Sequence, residues 1–378
     1  MAKGRQGESD VFERPAWAEI DLGAIAHNVG QIRKVTAGST QICAVLKADA
    51  YGHGAIKVAE AVLQAGADKL AVATVSEALE LRQAGFKVPI LLLGYTPASQ
   101  AAMVVDYDIT QTIYSMDSAQ ALSGAAAAAG KIVNVHIKID TGMGRIGIRP
   151  EDAGTFAEAV SALPGIKVEG VFSHFATADS DDKAFAYEQY QRFMEGLQYI
   201  KAKGIEIPIR HIANSAAILD LPHTHLDMVR PGIILYGLWP SNEMNQSIEL
   251  RPAMKFKAQV GFIKNMAAHT SVSYGRSYFT HRPTRIATLP VGYADGWSRL
   301  LTSKAQVMVR GQRAPLVGRV CMDQCMIDVS HIPDVAEGDE TLLFGGADLP
   351  VEEIAALMGT INYEIVCMVG KRVPRLYL

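Results

Sequence analysis

A lysine that follows directly on an apolar strand is the first residue of this sequence suited to covalent chemistry. In residues 41–54, Q-I-C-A-V-L-K-A-D-A-Y-G-H-G, the run Ile42 to Leu46 is too short for a helix and rich in β-formers, and it ends in Lys47 before a turn bounded by Gly52 and Gly54. An amine at a dry strand end loses hydration, which lowers its pKa and lets it attack a carbonyl to form a Schiff base; a well-hydrated lysine does this poorly at neutral pH. Tyr51, four residues on, reaches the same ligand if the glycines turn the backbone. Taken alone, the commoner fate of such a lysine is a solvated surface position.

Further along, residues 133–140 alternate so that His136, Lys138 and Asp140 share one face, which in a barrel is either the interior or the helical layer. Next comes Gly142-Met143-Gly144-Arg145-Ile146-Gly147, a literal G-x-G-x-x-G. Pro150 lies three residues beyond it, and the strand before it is the fifth of an alternation, not the opening of a βαβ unit, so the context of a nicotinamide-binding loop is missing. Ser215 stands where a strand yields to the helix-like A-A-I-L-D-L, and Gly232 and Ile233 follow the next strand. A hydroxyl and backbone N–H groups at such places suit an anion. The plainer reading, an N-cap serine and a turn glycine, stays open for each.

Strand-like runs at 17–22, 41–47, 69–74, 89–94, 109–114, 133–140, 167–175, 210–215 and 228–232 position these residues, with helix-like segments between them. Regular β/α alternation predicts a parallel sheet closed as a (β/α)8 TIM-type barrel. Nine strands are one too many for it. The alanine run 125–129 reads as a helix end closed by Gly130. After about Leu250 the pattern changes: 255–266, 285–292, 305–309, 326–329 and 340–344 read as strands and only 351–358 as a clear helix. The expected organisation is a polar tail at 1–12, a barrel at 13–248 and a mainly β-stranded domain at 249–378, joined through W-P-S-N-E-M-N-Q at 239–246.

Composition narrows the class. A chain of 378 residues, 49% of them hydrophobic, has ample material for two or three cores. Its formal net charge of −3 argues against nucleic-acid or anionic-membrane partners, which require a positive field, and favours small neutral or zwitterionic ligands. No uninterrupted apolar stretch is long enough to predict a membrane span, and no signal peptide is evident, so a cytoplasmic location is expected. Four cysteines suit a reducing compartment, and the C-x-x-x-C of Cys321 and Cys325 matches no zinc template, so both are expected to be core thiols and no metal is expected.

K-A-D-A-Y-G-H-G resembles the pyridoxal phosphate (PLP) lysine motif of the alanine racemases. Matching stretches follow in order at H-I-K-I-D-T-G-M-G-R-I-G, F-S-H-F-A-T-A-D, H-I-A-N-S, M-V-R-P-G-I-I-L-Y-G, S-V-S-Y-G-R, V-G-Y-A-D-G, C-M-D-Q-C-M-I-D and I-N-Y-E-I, from about Trp17 to the C-terminus. The resemblance assigns the strand near 17–22 to the second domain. It implies Lys47 and Tyr274 as two bases on opposite faces of an α-carbon, and Tyr51, Asn214, Ser215, Gly232, Ile233 and Tyr363 about the cofactor, most of them at its phosphate. Arg230 is placed at the pyridine nitrogen, where most PLP enzymes have a carboxylate. His174 joins Arg230 and Tyr274; a tyrosine, whose hydroxyl ordinarily titrates near about 10, needs nearby cations to favour its phenolate. Met322 and Asp323 are implied at the substrate carboxylate, with Arg145 binding on both the cofactor and the substrate side, and Tyr293, Arg299 and Arg319 around the pocket. For Lys138 two states stay open: a carbamylated anion holding Arg145, or an amine paired with a carboxylate such as Asp140.

The expected activity is therefore racemisation of L- and D-alanine by a homodimer, supplying D-alanine for wall peptide. Two other readings stay open. One is a racemase of broader specificity, and the other is a PLP-binding carrier, which the residues of the second domain disfavour.

Overall fold

The computed structural model describes residues 14–378, so the expected polar tail at 1–12 lies outside the described residues. The chain divides into two units, Leu22–Ala253 and a second made of Met254–Leu378 with the described residues up to Asp21.

In the first unit eight strands form one parallel sheet: β2 (Gln41–Val45), β3 (Lys69–Val72), β4 (Ile90–Leu92), β5 (Thr110–Ile113), β6 (Val133–Lys138), β7 (Ile166–Phe172), β8 (Ile209–His211) and β9 (Met228–Val229). Their order is β8-β7-β6-β5-β4-β3-β2-β9. The amide of Asp227 donates to the carbonyl of Arg210 and that of Arg230 to Ala213, each at 3.1 Å, so β9 also lies alongside β8 and the sheet comes round as the barrel that the alternation predicts. Helices cover it by their apolar faces; in Ala55–Gln64 the buried side is Ala55, Val58, Ala59, Ala61 and Val62. Met116–Ala129 starts at Ser115, whose hydroxyl accepts from the Ser118 amide, and ends at Gly130 with φ 62°, the left-handed cap foreseen for the alanine run.

The ninth strand, β1 (Ala16–Ile20), is in the second unit. It pairs antiparallel with β10 (Met254–Gln259) and parallel with Arg375–Tyr377, inside a six-stranded sheet. The single strand expected at 255–266 is two. β10 ends at Gln259, the amides of Val260 and Gly261 donate to Asp339 and Thr288, and β11 (Phe262–Met266) joins a separate three-stranded sheet. A second helix, Asn362–Met368, follows Val351–Met358 where one was expected. Val272, Ile286, Val317 and Met326 form a buried cluster with Met266 and Tyr278 against it, which anchors the chain just before Tyr274. No helix among the described residues is long and apolar enough to cross a membrane.

Candidate active site

Lys47 begins where β2 and the buried Leu46 end, and the chain then makes a turn of the uncommon hand. Ala48, Asp49, Ala50 and Tyr51 have φ of 52–54°, so four residues that carry a Cβ are left-handed before Gly52. Each costs roughly 1–2 kcal/mol against the right-handed form. Hydrogen bonds offset this. The amides of Ala50, Gly52 and Gly54 donate to the carbonyls of Leu46, Ala48 and Asp49 at 2.8, 2.9 and 3.0 Å. From the first turn of the helix Val75–Gln83 the Glu77 carboxylate accepts from the Ala48 and Ala73 amides, both at 2.7 Å, and Asp49 Oδ1 accepts from Ala55 at 2.7 Å. The result holds the Lys47 ammonium 5.9 Å from the centre of the Tyr51 ring.

Tyr51 in turn meets Gly232. A Cβ on that glycine would stand 2.7 Å from the Tyr51 hydroxyl and 3.7 Å from Ser215 Oγ, so its bare Cα keeps a hollow between two hydroxyls. The Gly232 amide, expected to be offered to an anion, donates instead to Ser215 Oγ at 2.8 Å, which leaves the serine proton to give. Asn214 caps the helix Ser215–Asp220, its Oδ1 accepting from Ala217 at 3.0 Å, and Ile233 opens the 3-10 turn Ile233–Tyr236.

Beside this hollow Arg230 is buried over Phe172, its guanidinium 5.2 Å from the ring centre. Its Nη1 donates to His211 Nδ1 at 2.7 Å, and Nη2 to the Ser173 carbonyl at 2.8 Å and to His174 Nδ1 at 3.2 Å. An arginine only donates, so both Nδ1 atoms accept, and each neutral ring carries its proton on Nε2. Burial, reinforced by the Arg230 charge, holds both histidines well below the ordinary range, so they are neutral at pH 7. Burial pulls Arg230 itself down to about 10, which leaves it charged.

Lys138 is 3% exposed, 4.5 Å from the Phe172 ring centre, and its amine has no hydrogen-bond partner. Burial first, then Arg230 and Arg145, lower its pKa strongly. It does not pair with Asp140, whose Oδ1 accepts from the Gly142 and Gly144 amides at 3.0 and 3.1 Å. The same two bonds close the G-x-G-x-x-G loop on its own aspartate, and no phosphate-binding helix follows it. Arg145 is exposed in that loop.

In the second unit Tyr274 lies in the 3-10 turn Tyr274–Arg276 and is 69% exposed. Ser273 Oγ donates to the Arg319 carbonyl at 2.7 Å, tying this turn to the loop that carries Met322 and Asp323, both exposed. Arg372 holds Asp323 at 2.6 Å and the buried Asp295 at 2.7 Å. The amides of Tyr293 and Ala294 donate to the carbonyls of Cys321 and Met322, each at 3.1 Å. Tyr363 is half-buried in Asn362–Met368. Of the two cysteines expected in a core, Cys325 is buried, with its thiol pushed up by burial, but Cys321 is only half-buried because it belongs to this loop.

Sequence reasoning missed Glu77, Glu169, His211 and Phe172 as site residues. An imidazole at the buried end of a parallel strand was the available signal for His211; Glu169 lies in the half-exposed first part of its strand, and nothing local marked it or Glu77.

The model of the alanine racemase N-terminal domain matches residues 20–240, and that of the C-terminal domain matches 253–377. The chain belongs to the alanine racemase family. Family members from Desulfovibrio desulfuricans and Desulforamulus reducens, each named alanine racemase, are 56% and 53% identical to it, over 97% of this chain and 99% and 100% of theirs. The solved alanine racemase of Clostridium difficile is 43% identical with a TM-score of 0.94, over 97% of this chain and 96% of that one.

Proposed function

We propose that this chain interconverts L- and D-alanine with bound PLP, using Lys47 and Tyr274 as bases on the two faces of the substrate α-carbon. The observation that carries the reading is the array around Gly232 and Arg230 in a chain of this family. The hollow between Tyr51 and Ser215, which a Cβ would fill, is of a kind to take a phosphate, and the buried guanidinium is a donor-only partner for a ring nitrogen. Lys47, at 5.9 Å from the Tyr51 ring, is on hand for the cofactor's aldehyde. Bound PLP supplies an electron sink that acidifies the substrate α-proton.

The protein's own groups do the rest. Tyr51, Ser215, Ile233 and Tyr363 hold the phosphate end, with Gly232 giving room and Asn214 fixing the Ser215 backbone. Arg230 offers charge to the ring nitrogen and gives it no proton of its own at neutral pH. His174, with Nδ1 engaged by Arg230, has its Nε2 proton to donate to the Tyr274 oxygen. Arg145, Met322 and Asp323 orient the substrate carboxylate. The unpartnered Lys138 amine, which burial shifts toward its free base, supports carbamylation, since only the free base adds carbon dioxide, and the anion formed would answer Arg145. Lys47 and Tyr274 fold into different units, and Tyr274 is left exposed in a single chain; we therefore take the active species as a homodimer in which Tyr274 serves the partner's cofactor, working in the cytoplasm to supply D-alanine.

Polarimetry of purified, PLP-loaded protein with each alanine enantiomer tests the proposal. Loss of rotation from either side, with serine and lysine turned over far more slowly, is the expected result. Comparable rates on all three amino acids would make it a broad racemase, and a visible PLP absorption with no change in rotation would make it a carrier.

A further inference from the structure

Inside the barrel a second polar array extends away from the two bases. Lys69 Nζ donates to Glu169 Oε2 at 3.2 Å, and His136 Nε2 lies 3.0 Å from the same oxygen. His136 Nδ1 lies 2.8 Å from His211 Nε2, and His211 Nδ1 accepts from Arg230 at 2.7 Å. His136 and His211 are 1% and 0% exposed.

Each proton along this path has one place to be. Arg230 can only donate, so His211 Nδ1 accepts and the ring's proton sits on Nε2, facing His136 Nδ1. That nitrogen must then accept, which puts the His136 proton on Nε2, facing Glu169. An ionised carboxylate can only accept. The two ends of the chain thus demand the same direction, and both rings are neutral, since burial lowers the pKa of each. Glu169 is held down to about 2, first by the His136 hydrogen bond, and stays ionised.

Two local features serve this path. The register of β6 against β7 pairs Val135 with Val168 but His136 with Gly170, so Glu169 is an extra, bulged residue. Regular alternation would send it to the side opposite Gly170 and Phe172, and a bulge re-aims a side chain. Gly170 in turn makes room for the imidazole: a Cβ there would lie 2.6–2.9 Å from three atoms of the His136 ring. Among the described residues no carboxylate forms a salt bridge with Arg230, although an uncompensated buried cation is costly. Glu169, itself paired with Lys69, is the acceptor at which the Arg230 hydrogen-bond path ends.

We propose that Glu169, His136 and His211 form a polarised relay that fixes Arg230 as a cationic donor toward the cofactor's ring nitrogen. Glu169 and His136 are positioning residues that act through Arg230. The role at the ring nitrogen rests on the PLP reading above; the proton arrangement does not.

Imidazole 15N NMR of the protein, before and after PLP is added, tests it. The relay requires His136 and His211 each to show a protonated Nε2 and a bare Nδ1 at neutral pH. Glu169→Gln, whose amide can either accept or donate, is expected to give His136 a mixture of tautomers and to shift the visible absorption maximum of bound PLP, with Glu169→Asp restoring both. Gly170→Ala, which displaces the ring without removing a polar group, is expected to shift the same absorption. A protonated Nδ1 on either ring of the unaltered protein overturns the relay, as do Glu169→Gln spectra identical to the unaltered ones. Failure to acquire any visible absorption with PLP would instead overturn the cofactor reading, while the tautomers would still be read in the protein alone.

Discussion

Gly232 comes so close to Tyr51 that a Cβ on it would stand 2.7 Å from the tyrosine hydroxyl. The glycine also answers to its backbone angles, since φ −117° with ψ −96° lies outside the α and β regions open to residues with a Cβ. Gly232→Ala is therefore expected to strain this turn, lowering Tm, and to close the hollow beside Ser215. PLP titration of the apo protein should show affinity reduced tenfold or more, about 1.4 kcal/mol. An unchanged dissociation constant would mean that the phosphate lies elsewhere.

Glu77 holds the left-handed turn after Lys47 from outside, accepting from Ala48, Ala73 and, at 3.2 Å, Thr74. Glu77→Ala leaves the Ala48 and Thr74 amides to water and the part-buried Ala73 amide without its acceptor, a net loss on the order of 1 kcal/mol. It is expected to lower Tm and also to impair PLP attachment, read by visible absorption. Thr74→Ala, which removes only the hydroxyl cap of the same helix, should lower Tm slightly and leave PLP attachment intact. Equal effects of the two changes on attachment would show that the turn does not depend on Glu77.

Stability should fall on the acid side. Burial is the first cause of the lowered folded-state pKa values of His136, His174, His211 and His225. An unfolded chain protonates each below about 6.5, whereas the folded one resists, so their contribution is full above that pH and is lost as pH falls, by up to about 1.4 kcal/mol per group and pH unit. Glu169 acts in the same direction lower down: its folded value of about 2 against an ordinary 4.5 gives stability that is present above 4.5 and disappears as pH falls toward 2. Calorimetry should find Tm level just above neutrality and falling below about 6.5; a Tm that rises on mild acidification would contradict the neutral state of these rings.

Lys47 and Tyr274 belong to different units, which makes trans complementation a test of the dimer. Lys47→Ala and Tyr274→Phe are each expected to be inactive. Mixed dimers should recover about half the wild-type activity, because one of their two sites combines an intact lysine with an intact tyrosine and the other has neither. Mixed dimers as inactive as their parents would place Tyr274 in the site of its own chain.

The barrel was legible because its signals are local. Short apolar runs alternating with helical ones need only a window of residues, and Gly130 closed its helix as its type implies. The features that were missed depend on partners distant in sequence. Glu77 lies 29 positions from Ala48, so nothing around Lys47 announces a left-handed turn. The bulge at Glu169 exists only in the register between two strands. The break between Gln259 and Phe262 has a glycine but no change of hydrophobic pattern, and its cause is that the two halves find different sheets. Asn362–Met368 spans seven residues, less than two turns, too little for a helical period to show.

The central claim, that two different residues serve the two faces of the α-carbon, is tested most directly by following α-proton exchange of each alanine enantiomer in deuterated water with PLP-loaded Tyr274→Phe protein. Removal of one base should slow exchange of one enantiomer by roughly 10²–10⁴-fold. Exchange of the other enantiomer, served by Lys47, should persist, with racemisation abolished. Exchange of both enantiomers lost to the same extent, or neither slowed, would contradict the account.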